Sequence, residues 1–332
     1  MSDILRAQDL HVNFYTKDGE VKAVNGVSFS LQAGSILCLV GESGAGKSTT
    51  ALALLGLLPK AARGPSGSVH FDGLDLLSVD QQTLRRIRGK EISMIPQEPR
   101  ASLNPILTVG TQVEEQILAH TDLSKKNANR LALDMLRDVG LPDPKNILKQ
   151  YPFQLSGGMC QRVMLSMALA LRPRVLIADE PTSSLDVTLQ AEILRRLKDT
   201  CRELNSSMLL ITHDMGIVAQ MADEVAVMYA GSIVESADVQ TLFRYPQHPY
   251  MYGLFQSLPR LDRPGRRFEP IRGNPPDLMN LPGQCPFLPR CSKAISKCRL
   301  EPMPVLDEVE PGHKVACYNT LDYDWMNGDD EG

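Results

Sequence analysis

Short apolar runs typical of strands alternate along the chain with stretches of helical periodicity. Apolar and polar residues alternate over 10–14 and 23–31, which predicts two strands joined by a turn at 17–19. Apolar runs at 35–40, 92–96, 174–178 and 208–212 are typical of buried strands, and a hairpin is expected at 69–76. Helical periodicity follows the first of these runs, over 49–58, and also the third and fourth. This alternation predicts an α/β fold in which helices cover a parallel sheet.

Two segments depart from this pattern. Residues 98–155 hold amphipathic stretches at 111–120 and 126–139, so we expect a helical subdomain over about 98–165. Between 259 and 311 the chain carries 11 of its 23 prolines and three of its seven cysteines. We therefore expect a domain over 1–250 and a loop-rich extension over 251–332, which needs something other than a large core to hold it.

Composition narrows the class of protein. The 332 residues are 43% hydrophobic and 22% charged, which excludes a disordered or fibrous chain. The net charge is −4, and the last eleven residues carry five acidic residues and no basic one, so the rest of the chain is near neutral. The chain has no excess of basic residues that would indicate a nucleic-acid partner. No apolar run reaches about 18 residues, and the first ten lack a basic and an apolar region, so we expect neither a membrane span nor a secretory signal.

A glycine-rich segment follows the apolar run at 35–40. It fits the pattern G-x-x-x-x-G-K-[ST] and comprises Gly41, Glu42, Ser43, Gly44, Ala45, Gly46, Lys47, Ser48 and Thr49. Glycines let backbone N–H groups wrap closely around an anion, and the helix start that follows favours negative charge. The segment therefore predicts a site for the phosphates of ATP, with Lys47 on the β- and γ-phosphates and the Ser48 hydroxyl on Mg²⁺.

Two carboxylates follow the apolar run at 174–178. Asp179 and Glu180 end that strand, and ligands bind at the carboxyl ends of strands in open α/β sheets. We expect Asp179 to hold Mg²⁺ and Glu180 to orient and deprotonate the attacking water.

A second glycine motif lies between these two elements. Leu155–Arg162 reads LSGGMCQR, which resembles the signature segment of the ATP-binding-cassette (ABC) family. The resemblance implies an ABC-type phosphate-loop NTPase with a RecA-like core, an antiparallel β subdomain and a helical subdomain. It also implies that two cassettes meet head to tail, and that one cassette contacts the ATP of the other through Ser156, Gly157, Gly158 and Gln161.

Other positions resemble the same family. Gln97 resembles the glutamine that ligates Mg²⁺ and links the ATP site to the membrane partner. Residues 183–186 resemble the loop that crosses the dimer interface, which gives Asp186 a place at ATP. His213 resembles the switch histidine that contacts the γ-phosphate. Phe14, in preference to its neighbour Tyr15, resembles the aromatic residue that stacks on adenine.

The end of the chain resembles one branch of that family. Four segments resemble those of the ATPases that energise peptide and nickel uptake: Tyr245–Tyr250, Gln284–Cys291, Cys298 and His313–Cys317. This implies a D-type ATPase that energises import of dipeptides or oligopeptides at the cytoplasmic face of the membrane. The implied partners are a second ATPase subunit, two transmembrane permease subunits and an extracytoplasmic binding protein. The alternatives are an importer of nickel chelates, other metal chelates or opines, an ABC exporter, a soluble ABC ATPase that acts on ribosomes or DNA, and a phosphate-loop kinase.

Four cysteines share the extension. Cys285, Cys291, Cys298 and Cys317 are spaced too widely for a typical zinc site, and disulfides are rare in the reducing compartment that an ATPase implies. Four thiolates can hold an iron–sulfur cluster, and some members of this branch carry [4Fe–4S] at such cysteines. A structural [4Fe–4S] cluster is our preferred expectation, with zinc or no metal as the alternatives.

Overall fold

The structure is a computed structural model that describes residues 3–183, 185–257 and 270–321. The strands are β1 (Asp3–Tyr15), β2 (Glu20–Gln32), β3 (Ile36–Val40), β4 (Ala62–Phe71), β5 (Leu74–Asp75), β6 (Ile92–Ile95), β7 (Val175–Asp179), β8 (Ser207–Thr212), β9 (Glu224–Tyr229), β10 (Ser232–Asp238), β11 (Asp307–Glu310) and β12 (His313–Val315).

The helices fall between these strands and are α1 (Lys47–Leu54), α2 (Gln81–Ile87), α3 (Pro99–Ser102), α4 (Val109–His120), α5 (Lys125–Asp138), α6 (Pro144–Ile147), α7 (Gly157–Leu169), α8 (Val187–Glu203), α9 (Met215–Met221), α10 (Val239–Arg244), α11 (Pro249–Gln256) and α12 (Ser296–Leu300). Two 3₁₀ helices span Pro152–Gln154 and Leu288–Arg290. In the described ranges, no helix is both long enough and apolar enough to cross a membrane.

The chain divides into two compact units. The first comprises the described residues of Met1–Leu5, Ser30–Ile36 and His70–Ile211, and the second those of Arg6–Phe29, Leu37–Val69 and Thr212–Gly332. Each unit is therefore built from separated parts of the sequence, and the described part of the C-terminal extension belongs to the second.

Parallel strands form the centre of the first unit. β7 pairs with β6 on one side and with β8 on the other, both in parallel. β7 and β8 are buried along their whole length, which explains why both read as continuous apolar runs. Two helices of this unit begin at hydrogen-bonded caps: Thr108 caps α4 and Ser124 caps α5, each side chain accepting a backbone N–H three residues later.

Five strands of the second unit share one sheet. β3 pairs in parallel with β9, β9 is antiparallel to β10, and β12 pairs with both β10 and β11. The parts of β1, β2 and β4 that belong to this unit lie in the order β2-β1-β4.

The extension has more regular structure than the sequence predicted. Its strand β12 pairs with β10, with Val315 opposite Glu235 and Lys314 opposite Ser236. A three-residue strand is too short to show a period, and every residue of β11 is exposed, so neither produced a hydrophobic pattern. The extension is thus joined to the sheet by backbone hydrogen bonds as well as by side chains.

A buried carboxylate holds the extension to the sheet. Glu235 of β10 is fully buried, and its carboxylate accepts the backbone N–H of Gln247 at 2.7 Å and that of His248 at 2.9 Å. It also pairs with Nε2 of His313 at 2.8 Å. Burial lowers the pKa of His248 to about 3, so that ring is neutral, and its Nδ1 accepts the N–H of Tyr250 at 3.0 Å. Neither histidine was predicted to have a structural role.

Candidate functional site

The glycine-rich segment of the second unit forms a tight turn between β3 and α1. Gly41 and Gly46 have φ of 154° and 102°. A Cβ at Gly41 would lie 2.1 Å from the carbonyl oxygen of Met228, and one at Gly46 would lie 2.2 Å from that of Ala23. Only glycine fits both positions, so the backbone around them stays free to approach an anion.

Lys47 lies inside this turn. It begins α1, it is buried, and its Nζ donates to the carbonyl oxygens of Gly41 at 2.7 Å and Glu42 at 2.9 Å. Ser48 and Thr49 follow on the first turn of the helix and are half-buried, whereas Ser43 and Gly44 at the tip are exposed. The turn thus combines one buried cation with a helix start, which suits it to phosphate.

In the first unit, the side chains of the predicted residues Gln97 and Glu180 are in contact. Asp179 is buried at the end of β7, and the next residue, Glu180, has a left-handed backbone with φ of 45°. Nε2 of Gln97 donates to Oε2 of Glu180 at 3.3 Å, and the backbone N–H of Glu180 donates to the carbonyl of Ile211 at 2.9 Å. Non-glycine residues in this backbone region are uncommon and cluster at functional sites.

The signature segment forms the start of α7. Ser156 is the N-cap, and its hydroxyl accepts the N–H of Met159 at 3.3 Å. Ser156 and Gly157 are exposed, and a Cβ at Gly157 would contact no other residue within 4 Å. Ser156 and Gly157, which the resemblance places opposite a partner's ATP, therefore lie at the surface of the described chain, at the positive end of a 13-residue helix, and Gly158 is half-buried.

Gln161 and Asp186 have structural contacts in addition to their predicted roles. Gln161 is 2% exposed, and its side-chain amide donates to the carbonyl of Pro181. Asp186 is the N-cap of α8 and accepts the N–H of Leu189 at 2.9 Å. Ser184, from the same predicted segment, lies outside the described residues. A place for Gln161 and Asp186 at ATP stays a prediction.

The remaining predicted ATP residues belong to the second unit. His213 is exposed directly after β8. Phe14 is half-buried at the end of β1, and Tyr15 is 46% exposed with the guanidinium carbon of Arg63 4.9 Å from the centre of its ring. One face of the Tyr15 ring is therefore covered by a cation within the chain.

The four cysteines of the extension line one cavity. Cys285, Cys291, Cys298 and Cys317 share it with Phe287 and Lys293, among others. Burial raises the pKa of the thiols of Cys285 and Cys291, and raises that of Cys317 to about 12. In the described ranges, however, no group of three or more Cys, His, Asp or Glu side chains is close enough to hold a single metal ion.

Three features are those that the ATP-binding-cassette resemblance predicts: the glycine-rich turn Gly41–Thr49 (the phosphate turn), the carboxylates Asp179 and Glu180 at the end of β7, and the exposed helix start at Ser156 and Gly157. Residues 24–183 match the family described as "ABC transporter", and residues 234–298 match "Oligopeptide/dipeptide transporter, C-terminal region". The fold is similar to that of the ATP-binding cassette MJ0796 in a dimeric post-hydrolysis state bound to ADP and Pi. That similarity has a TM-score of 0.64 at 25% identity and covers 71% of this chain and 98% of that one.

Relatives that align over nearly the whole chain establish the family. The chain is 49% identical to the dipeptide transport ATP-binding protein DppD of Bacillus subtilis, over 96% of this chain and 95% of the relative. It is 46% identical to the oligopeptide transport ATP-binding protein OppD of Escherichia coli, over 96% and 94%. The chain therefore belongs to the ABC transporter family of ATPases, and the predicted family and fold class are confirmed.

Proposed function

We propose that this ATPase energises the import of dipeptides or oligopeptides through a separate membrane permease. The supporting observation is the similarity to DppD and OppD along nearly the whole chain, including the extension. We propose as partners a second ATPase subunit, two transmembrane permease subunits and an extracytoplasmic binding protein, with this chain at the cytoplasmic face. The proposed domains are 1–250 and 251–332, with a helical subdomain at about 98–165.

Uptake of a labelled dipeptide by cells that lack this chain tests the function. Cells supplied with the intact chain are expected to regain uptake, and cells supplied with Lys47→Ala are not, because that variant lacks the buried cation of the phosphate turn. Lys60→Ala, at an exposed lysine, is the matched control. Full uptake with Lys47→Ala, or none with the intact chain, would contradict the proposal.

We propose that the site residues share the work of ATP hydrolysis as follows. Gly41–Thr49 bind the phosphates, and Ser48, Gln97 and Asp179 would hold Mg²⁺, which neutralises charge on the phosphates. A buried carboxylate and a hydroxyl at a helix start are ligands that suit this ion. Glu180 takes the proton of the attacking water, and His213 contacts the γ-phosphate. Ser156, Gly157, Gly158, Gln161 and Asp186 act across a dimer interface.

We propose that Phe14 stacks on adenine. Phe14→Ala is expected to weaken ATP binding by roughly ten-fold, because stacking of a base on an aromatic ring contributes about 1–3 kcal/mol. Tyr15→Ala is the matched control, since Arg63 covers one face of that ring. Titration with a fluorescent ATP analogue measures both affinities. Loss of affinity in Tyr15→Ala alone would transfer the role to Tyr15.

We propose that the extension holds a [4Fe–4S] cluster on Cys285, Cys291, Cys298 and Cys317. Four thiolates around one zinc ion lie roughly 3.8 Å apart, given Zn–S bonds of about 2.3 Å. A cluster of four irons is larger, so the thiolates that would bind it lie farther apart. Four cysteines that line a shared cavity can have that wider spacing. The cluster would replace part of a hydrophobic core, because metal binding contributes directly to folding.

Metal analysis of anaerobically purified protein tests the cluster. We expect broad visible absorbance with iron and acid-labile sulfide in nearly equal amounts, and loss of both in Cys291→Ser. Cys201→Ala, at a buried cysteine of α8 that lies outside the cavity, is expected to keep them. A colourless, iron-free chain whose extension is folded would contradict the proposal, and stoichiometric zinc would replace it.

A further inference from the structure

One arginine of the extension reaches the phosphate turn. Arg290 lies between Cys285 and Cys291, at the end of the 3₁₀ helix Leu288–Arg290. Its Nη1 lies 2.6 Å from Oε2 of Glu42 and its Nη2 lies 2.9 Å from Oε1 of the same carboxylate. The pair is bidentate, and the two side chains are only 5% and 25% exposed. A bidentate, largely buried pair differs from the surface ion pairs that contribute little to structure.

The guanidinium of Arg290 uses all five of its N–H groups. Besides the two bonds to Glu42, its Nε donates to the carbonyl of Arg272 at 3.1 Å, Nη1 to the hydroxyl of Tyr229 at 3.3 Å and Nη2 to the carbonyl of Ile271 at 3.4 Å. The bonds to Glu42 and Tyr229 raise the pKa of Arg290, so it stays charged. A planar fork held at every donor fixes the position of the carboxylate that it binds.

Glu42 is also held through its backbone. Its N–H donates to the hydroxyl of the buried Tyr250 at 2.8 Å. Its carbonyl oxygen accepts from Nζ of Lys47 at 2.9 Å. The same residue thus contacts the extension through its side chain and the phosphate-binding lysine through its backbone. A change at Arg290 acts on the loop through this one residue.

The charge of Glu42 gives this contact a consequence for ATP. A carboxylate in the turn that binds a triphosphate repels that ligand unless a cation neutralises it. In a partly buried site, a like charge within about 10 Å weakens binding by roughly ten-fold. Arg290 is the cation that the described structure places in hydrogen-bond contact with this carboxylate.

We propose that Arg290 of the C-terminal extension is a positioning residue for ATP binding, because it holds and neutralises Glu42 in the phosphate turn. This rests on the proposed role of Gly41–Thr49 as the phosphate site. The extension then acts on ATP affinity through one salt bridge.

Four variants of the full chain test this proposal. The dissociation constant for a fluorescent ATP analogue is expected to rise roughly ten-fold in Arg290→Ala. Arg290→Lys, which keeps the charge without the fork, is expected to lose less. Glu42→Gln combined with Arg290→Ala is expected to recover most of the lost affinity, because the repelling charge is gone. Arg299→Ala, at an exposed arginine of the same extension, is expected to bind as the unaltered chain does.

The combined variant separates positioning from folding. If Arg290 only stabilises the extension, the double substitution will bind ATP as weakly as Arg290→Ala or more weakly, and that result would overturn the proposal. Unaltered affinity in Arg290→Ala would overturn it as well. If Arg290→Ala does not fold, Arg290→Gln with and without Glu42→Gln gives the same comparison, because glutamine also removes the positive charge. Normal ATP binding by Lys47→Ala would instead refute the proposed phosphate site itself.

Discussion

Replacing Glu180 with glutamine is expected to lower the rate of ATP hydrolysis by roughly 10²- to 10⁴-fold, the usual contribution of a positioned general base. The amide has nearly the same shape as the carboxylate and keeps an oxygen that can accept from Nε2 of Gln97. The backbone of Glu180 is held separately, by its N–H on the carbonyl of Ile211. The substitution therefore removes basicity and leaves the local structure in place.

ATP affinity and the hydrolysis rate should respond differently in this variant. Glu180→Gln is expected to bind ATP and to accumulate as a closed, ATP-bound dimer, because binding precedes the proton transfer that fails. Phosphate release under single-turnover conditions measures the rate, and size-exclusion chromatography with ATP measures the dimer. Glu203→Gln, at an exposed carboxylate of α8, is the matched control. A hydrolysis rate equal to that of the control would exclude Glu180 as the base.

Replacing Glu235 with alanine is expected to cost about 3–5 kcal/mol of unfolding free energy. The substitution leaves the N–H groups of Gln247 and His248 and the ring of His313 buried without their acceptor. Each such group costs about 1–3 kcal/mol. Since these donors join β10 to the segment before α11 and to β12, the extension should loosen first.

Urea unfolding followed by circular dichroism measures this loss. Glu301→Ala, at an exposed glutamate of the same extension, is expected to change the midpoint little. Glu235→Gln, which keeps one acceptor oxygen, should fall between the two. Equal midpoints for Glu235→Ala and Glu301→Ala would show that the buried carboxylate does not hold the extension.

Local patterns were enough to predict the phosphate turn and the core strands. Gly41, Gly46 and Lys47 are spaced by the needs of one short loop, so the sequence carries the whole motif. Element ends were less accurate. The sequence indicates a helix over 49–58, but α1 spans Lys47–Leu54. The chain leaves the helix after Leu54, where the N–H of Leu57 donates to the carbonyl oxygen of Leu52 at 2.8 Å.

Long-range contacts were beyond any local pattern. Arg290 and Glu42 lie 248 positions apart, and neither residue is unusual in its own neighbourhood. His313 and Glu235 are 78 positions apart, and their pairing depends on β12 reaching β10. The motif-based prediction therefore proposes residues for the reaction but missed the residues that tie the extension to the phosphate turn.

We propose that each ATP site needs the helix α7 of a partner cassette, the helix that Ser156 caps. The most direct test is the ATP hydrolysis rate of the intact transporter carrying Ser156→Arg, with Ser66→Arg at another exposed serine as the control. The account predicts a loss of at least about ten-fold in Ser156→Arg, because a bulky side chain at the N-cap of α7 blocks the facing phosphates. Hydrolysis at the rate of the control would contradict it.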